Sequence, residues 1–469
     1  MIIMYLQSIF KSKVSFCCLL SMIILLDSCK ILQPYKRPEV VSEEKLFREL
    51  AVTDSTNIAD VPWRSLFTDK LLQNLIEEAI NNNADLQIAV ARMKKAEANF
   101  KQTKAAFFPS LNASAVASFQ KNDAMIAGVP AIYQLTGTSS WEADIWGRLR
   151  SAKRANLSLL LESQAYKRTV QTRLIASVAN TYYSLLAFDA KLQVTKKTIE
   201  NRNSDVETLK LMKDNDLVTG ADLVQSQANL YSAKVMIPEI ELSIYETENA
   251  LSILLGRNPG PITRDSLSAQ DIRADLKTGV PAQLLGNRPD VQEAEFQFRY
   301  GFEMTNVARK YFYPALTVSA TGGITSTSLS QMFSPSSVFW NIVGGLTQPI
   351  FNQGQNRQRL RVAQANQEEY LVSFKQTLLT AGQEVANALH EYQSATEKIS
   401  LRSSQIDYLE KSVNYTMELL KYTSSTNYID VLTSEVNLLS AQLNSIDDKL
   451  EQLQAVVFLY QSLGGGWKQ

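Results

Sequence analysis

The chain carries one unit written twice, and this repetition constrains its fold more than any other feature. Asn83-Ala84-Asp85-Leu86, followed by Ala89, returns 205 residues later as Arg288-Pro289-Asp290-Val291, followed by Ala294. Phe107-Phe108-Pro109-Ser110-Leu111 returns at the same offset as Phe312-Tyr313-Pro314-Ala315-Leu316. Asp144-Ile145-Trp146 and Gly147 match Pro349-Ile350-Phe351 and Gly354, and by Gly354 the offset is 207. Asp222 and Leu255-Gly256 match Asp430 and Leu463-Gly464 at 208. A near-constant offset over so much chain marks an internal duplication. It divides the sequence into residues 63–258, a linker over 259–280, and a second copy over 281–469.

Each copy has the same order of elements. A helix comes first: Ala84 to Ala106 holds no Gly or Pro and is rich in Ala, Lys and Gln. A proline, Pro109 or Pro314, ends it. Segments of period-two alternation follow. Leu316, Val318, Ala320 and Ile324 alternate with Thr317, Ser319 and Thr321; Tyr133, Leu135, Trp141 and Ala143 alternate with Gln134, Thr136, Ser140 and Glu142. Such alternation predicts strands with one apolar and one polar face. Loops over Lys121–Ile132 and Thr325–Val338 join them in hairpins. From Arg148 to Thr219 there is neither Gly nor Pro, which predicts a helix of roughly 100 Å. Val178, Leu185, Leu192, Ile199 and Val206 recur every seven residues. Val385, Tyr392, Ile399, Ile406 and Val413 do so in the other copy, the signature of coiled-coil packing. A return helix follows in each copy, and Pro238 is expected to kink or break the first.

Four strands cannot close a membrane barrel, which needs eight or more, and an open sheet would expose its edges. Three copies supply 12. The expected fold is an α+β membrane protein: a homotrimeric 12-stranded β-barrel, four strands per chain, continuous with a long α-helical coiled-coil barrel. Aromatic residues gather at the strand ends nearest the helices: Phe107, Phe108, Trp141, Trp146, Tyr311, Phe312, Tyr313 and Phe351. They form either an interfacial girdle or packing at the strand-helix junctions. Gly147 and Gly354 stand where strand becomes helix and are candidate hinges.

Composition excludes other classes. Lys and Arg number 47, as do Asp and Glu, so the formal net charge is zero. Nucleic-acid binding calls for a basic excess. The three cysteines, Cys17, Cys18 and Cys29, lie in the first thirty residues, and His390 is the only histidine. That leaves no zinc cluster, disulfide framework or cysteine nucleophile. His390 sits inside a helical stretch, and an enzyme is the weakest reading. No cofactor is expected beyond a lipid.

Lys11 and Lys13 precede an apolar run from Val14 to Leu26. At thirteen residues it is too short for a spanning helix, which needs about 20, and it reads as a secretory signal over residues 1–28. Leu26-Asp27-Ser28-Cys29 resembles a bacterial lipobox, with Asp27 departing from the usual small residue. The resemblance implies acylation of Cys29, with residues 29–62 as a lipid-anchored tether. Lys30 after the cysteine resembles outer-membrane sorting.

The whole mature stretch resembles the outer-membrane efflux proteins, the TolC-like family, and more closely the lipoprotein branch named after nodulation protein T. Pro34-Tyr35-Lys36-Arg37-Pro38, Trp63-Arg64-Ser65-Leu66-Phe67, Trp141-Glu142-Ala143-Asp144-Ile145-Trp146-Gly147-Arg148 and Asn287-Arg288-Pro289-Asp290-Val291 carry the likeness. It implies a homotrimer in the outer membrane, reaching into the periplasm and docked on a periplasmic adaptor and an inner-membrane pump. It also implies a pore closed near the periplasmic tip, where Ile429 falls at an apolar ring position and Thr433 where relatives often carry aspartate. Val436 falls where some carry arginine. Asp430 and Glu435 either face the pore or serve as outer charges or helix caps. The tips Val218, Thr219 and Gly220, with Thr426 and Asn427, are the implied adaptor contacts. The function implied is a passive exit duct for small molecules. The alternatives are a duct for type I protein secretion or, in a different class, a periplasmic structural coiled-coil or adaptor lipoprotein.

Overall fold

The computed structural model describes residues 34–38, 57–119, 131–270, 284–422 and 428–468. Cys29, Thr426 and Asn427 lie outside the described residues. The longer elements, in chain order, are helices α1 (Lys70–Asn82) and α2 (Ala84–Ala105), strands β1 (Ser110–Ser118) and β2 (Ile132–Ala143), and helices α3 (Arg148–Asp214), α4 (Gly220–Leu254) and α5 (Pro289–Lys310). Strands β3 (Ala315–Ser326) and β4 (Val338–Thr347) and helices α6 (Gln355–Tyr422) and α7 (Tyr428–Ser462) complete the series. Among the described residues no helix is long and apolar enough to cross a membrane.

The chain forms two compact units, and each draws on both sequence copies. One unit takes in Ala96–Leu160 and Phe296–Val372 with the segment 34–38; the other takes in 57–95, Leu161–Glu295 and the chain from Ser373 onward.

The first unit holds a four-stranded antiparallel sheet in the order β1-β2-β3-β4. Leu135 pairs with Ala115 and Ile324, Val318 with Trp141, Ile342 with Ala320, and Leu346 with Leu316. Directly paired residues share a face of an antiparallel sheet, so the apolar alternates of all four strands form one continuous face. Thr136 pairs with Ser114 and Gly323, Thr138 with Asn112 and Thr321, and Asn341 with Thr321, so the other face is polar. Val116, Ile132, Phe339 and Val343 interrupt the polar face. Strands begin or end inside the expected loops: β3 runs through Thr325 to Ser326, and β2 and β4 start at Ile132 and Val338.

The second unit contains the main core. On α1, Leu72, Leu75, Ile76 and Ala79 form one buried stripe, the spacing of a helix face. Asp69 caps this helix, accepting from the Leu71 amide at 2.7 Å. The same carboxylate accepts from the Tyr182 hydroxyl at 2.6 Å and the Gln270 amide at 3.0 Å, which ties α1 to α3. Val178, Leu185 and Val385 of the heptad series are fully buried.

Two departures from expectation concern the helices near the tip. The long first-copy helix stops at Asp214 rather than Thr219. Asp216 takes a left-handed φ of 58°, and Thr219 starts α4 with a capping box: its hydroxyl accepts from the Asp222 amide while Asp222 accepts from the Thr219 amide. Pro238, in turn, does not break α4. Pro238 and Lys234, whose carbonyl loses its helical partner there, are both exposed, so the orphaned group is not shut inside the core.

Each copy closes on itself in an equivalent way. The Asn83 amide donates to the Leu254 carbonyl at 3.0 Å, and Arg288 donates to the Ser462 carbonyl at 2.9 Å. Gly256 and Gly464 follow these helix ends with φ of 69° and 86°, and a Cβ at either would collide with the Asn82 or Asn287 carbonyl. Both backbone conformation and space therefore require glycine. Gly464→Ala should lower the dissociation temperature of the assembled protein on a native gel, by a loss on the order of 1–3 kcal/mol. Gly260→Ala, where nothing lies within 4 Å, should leave that temperature unchanged.

Candidate functional site

The sheet is built as a wall between two solvents. Leu111, Trp340, Ile342 and Leu346 on its apolar face are all more than 60% exposed, and among the described residues β1 and β4 each leave one edge unpaired. The strand-end aromatics divide between the two expected roles. Phe108, Trp141, Phe312 and Phe351 are exposed, as an interfacial girdle requires. Trp146 instead stacks on Tyr313 at 5.1 Å and donates to the Pro314 carbonyl at 2.8 Å. Arg359 lies over the Tyr311 ring at 3.9 Å. These three aromatics pack the strand-helix turns.

Gly147 and Gly354 have φ of 75° and 80°, and each sits between a strand and the long helix after it. At the first turn, Asp144 accepts from the Leu149 and Arg150 amides at 2.8 and 2.9 Å and so caps α3. Lys310, almost fully buried, donates to the Gly147 carbonyl at 3.0 Å and to Ser151 Oγ at 2.6 Å. Burial pushes this ammonium down to about 8, with the neighbouring Arg154 adding to the effect. Sequence reasoning missed this lysine, because its partners lie in the other copy.

At the tip, Leu209, Leu420, Tyr428 and Val431 form a small core, with Val218 and Leu223 packed against it. Thr219 and Gly220 are exposed beside it. Ile429 is exposed on the first turn of α7, with Asp430 next to it. Thr433 is exposed and returns its hydroxyl to the Ile429 carbonyl at 2.8 Å.

Glu435 lies one turn further on and is turned toward α3. It lies beside Asp205, and its Oε2 is buried without a hydrogen-bond partner. Arg202 from α3, Tyr428 from α7 and Lys421 from α6 are the charged and titratable neighbours of this pair. Arg202 itself donates to the Asn229 carbonyl of α4 at 2.8 Å. Burial and then the Asp205 charge push Glu435 up to about 8, and burial also raises Asp205. Glu435 therefore keeps its proton at neutral pH. A groove of about 560 Å³ between α3, α4 and α7, lined in part by Arg202, Asn229, Ser440 and Asp447, brings solvent to this level.

A sheet with a hydrocarbon face, a water face and two open edges, each pair of strands feeding a very long helix, defines one protomer of an outer-membrane channel. Comparison with known proteins agrees. The sequence profile of the family described as outer membrane efflux protein matches residues 75–257 and 280–465, and the chain belongs to that family. It is similar to the toluene efflux pump outer membrane protein TtgC of Pseudomonas putida, 28% identical over 454 residues, 94% of each chain. It is also 28% identical to the probable outer membrane lipoprotein SilC of Salmonella typhimurium over 390 residues, 81% of this chain and 83% of that one. The crystal structure of the open state of the Neisseria gonorrhoeae outer membrane channel MtrE matches at 25% identity with a TM-score of 0.84, covering 94% and 99% of the two chains. The protein is an outer-membrane efflux channel, and this family consists of channels rather than enzymes.

The proton held on Glu435 gives the tip a pH dependence. A carboxyl of ordinary pKa 4.5 releases its proton in the unfolded chain, whereas folded Glu435 holds it to about 8. The stabilisation is complete below pH 4.5 and lost as pH rises through 8. Between about pH 6 and 9 the wild-type dissociation temperature should therefore fall more steeply than that of Glu435→Gln. The difference is at most about 1.4 kcal/mol per pH unit. Parallel curves for the two proteins would show that Glu435 does not hold its proton.

Proposed function

We propose that the protein is the exit duct of a tripartite efflux pump, passively conducting small molecules from an inner-membrane pump across the periplasm and outer membrane. The observation that carries this reading is the two-faced sheet with both edges unpaired. Backbone groups cannot remain unpaired in hydrocarbon, so β4 of one copy pairs with β1 of the next. Three copies close a 12-stranded homotrimeric barrel with apolar residues toward lipid and Thr, Ser, Asn and Gln toward the lumen. Residues 63–258 and 281–469 act as two equivalent repeats joined by 259–280, and Gly147 and Gly354 are the strand-to-helix hinges.

In this reading the tips at Val218, Thr219 and Gly220, with Thr426 and Asn427, meet the periplasmic adaptor. Ile429, Asp430 and Thr433 narrow the closed pore, and Glu435 acts behind them through Asp205. The signal covers residues 1–28, and Cys29 carries the lipid anchor at the head of the tether 29–62. A polar lumen binds cargo weakly, so the pump rather than the duct chooses the substrate.

The test is complementation of a host lacking its own outer-membrane efflux channel, with the cognate adaptor and pump supplied. The wild-type chain should restore efflux of a fluorescent dye. Thr219→Glu and Asn427→Glu should abolish it while trimers remain in the outer membrane. Full efflux from both variants would refute the tip assignment, and no efflux from the wild type would refute the duct. Cys29→Ala should lose incorporation of labelled palmitate.

A further inference from the structure

Between α5, which leads into β3, and α6, which leaves β4, lies a pocket of about 310 Å³, within the size range of small-molecule sites. Tyr300, Met304, Val307 and Tyr311 line it from α5, at the spacing of one helix face. The opposite face of α5 is already covered. There Tyr35 packs on Phe298 and Phe302, with ring centroids 6.0 and 5.8 Å apart, and Arg299 lies over its ring at 5.3 Å. Val362 and Tyr370 line the pocket from α6.

Gly301 makes room for this arrangement. Glycine inside a helix is destabilising relative to alanine, so its place in the middle of α5 calls for a reason. A Cβ there would stand 2.7 Å from Tyr370 Cδ2 and 3.3 Å from Gln367 Cα. Its absence lets Tyr370 lie against the α5 backbone and form one wall. The first copy lacks the same set. At offsets of 205 and 207, Lys95, Ala96, Ala106, Ala152 and Ser163 stand where Tyr300, Gly301, Tyr311, Arg359 and Tyr370 stand in the second. The glycine, the aromatic walls and the arginine therefore belong to the second copy together.

Arg359 is the one charged residue that lines the pocket, and it is held from one side. Its guanidinium lies over the Tyr311 ring at 3.9 Å, and its Nη1 donates to Asn356 Oδ1 at 3.0 Å. Tyr311 is fixed in turn: Arg148 donates to its hydroxyl at 3.2 Å, and Asn356 donates to its carbonyl at 2.9 Å. Arg148 has a carboxylate partner in Glu142. Among the described residues Arg359 has none, and its Nε and Nη2 donate to no group of the chain. A guanidinium anchored in this way presents a fork that takes a carboxylate through two parallel bonds.

We propose that this pocket binds a planar aromatic carboxylate, with its ring against Tyr370 and its carboxylate on Arg359. The inference goes beyond the duct reading and needs no second copy, because one chain forms the whole pocket. Charge selects the sign: the lining carries a cation and no anion. The apolar and aromatic walls select the body, since they offer stacking to a ring and little to a small hydrated anion such as sulfate or phosphate.

The test is equilibrium dialysis of the full chain, purified in a nonionic detergent, against naphthoate and its neutral counterpart naphthamide, with protein-free detergent as the blank. Naphthoate should bind saturably, one per chain, and naphthamide at least about tenfold more weakly. Arg359→Gln should weaken naphthoate by about tenfold and leave naphthamide unchanged, a split that a merely structural arginine would not give. Gly301→Ala should drive Tyr370 into the pocket and weaken both probes. Val362→Phe, at a position 45% exposed, fills the pocket from the other side and serves if the glycine variant fails to assemble. Equal affinity for the two probes, unchanged naphthoate affinity in Arg359→Gln, or uptake no greater than the detergent blank would each overturn the proposal.

Discussion

A strand in hydrocarbon has no water to satisfy its amides and carbonyls, and the whole design follows from that constraint. Register places the apolar alternates of β1 to β4 on one side. A one-residue slip in any strand would turn its polar set toward lipid. The pairing satisfies three strand interfaces inside the chain and leaves two edges. Those edges make a single copy an incomplete object. Large exposed side chains such as Trp340 and Ile342, which would be a defect in a soluble monomer, are then the expected lining toward lipid.

The duplication supplies two strands per copy, and each copy has its own closure. Asn83 and Arg288 reach the final carbonyls of α4 and α7, and Gly256 and Gly464 let the chain pass close to Asn82 and Asn287. The same task is met by different chemistry. Asn83 makes its contact with a neutral amide. Arg288 bonds Asp290 as well and pairs with Glu384 at 2.7 Å. Its burial is compensated by these two carboxylates, and the guanidinium in turn holds Asp290 below its ordinary range despite burial. Charge-paired closure leaves a guanidinium that cannot be removed alone without stranding its partners, so the second copy is the less tolerant of the two.

Much of this is legible in the sequence because periodicity reports local geometry. Two-residue alternation marked the strands, a long run without Gly or Pro marked α3, and a seven-residue apolar repeat marked α3 and α6. The end of α3 was also written there: Thr219 and Asp222 form a capping box, a stronger stop signal than the fading of the heptad. Pro238 misleads because the cost of proline depends on whether the orphaned carbonyl can reach water, which sequence does not state. Glu435 could not be placed beside Asp205, since their separation in the chain is large and each falls on a helix flank where charge usually means exposure. Lys310 at the Gly147 carbonyl was hidden for the same reason.

The tip thus contains two kinds of contact with opposite sensitivities. Between α3 and α7 the contact is polar and Glu435 carries a proton, with Arg202 close by. Such a contact depends on protonation and on competing water, and small displacements change its energy steeply. The outer faces of α4 and α6 present apolar and tyrosine side chains such as Val235 and Tyr408, whose burial is non-directional and tolerates rotation. In the proposed duct, a contact of the first kind suits a place where helices must part, and contacts of the second kind suit a place that must hold.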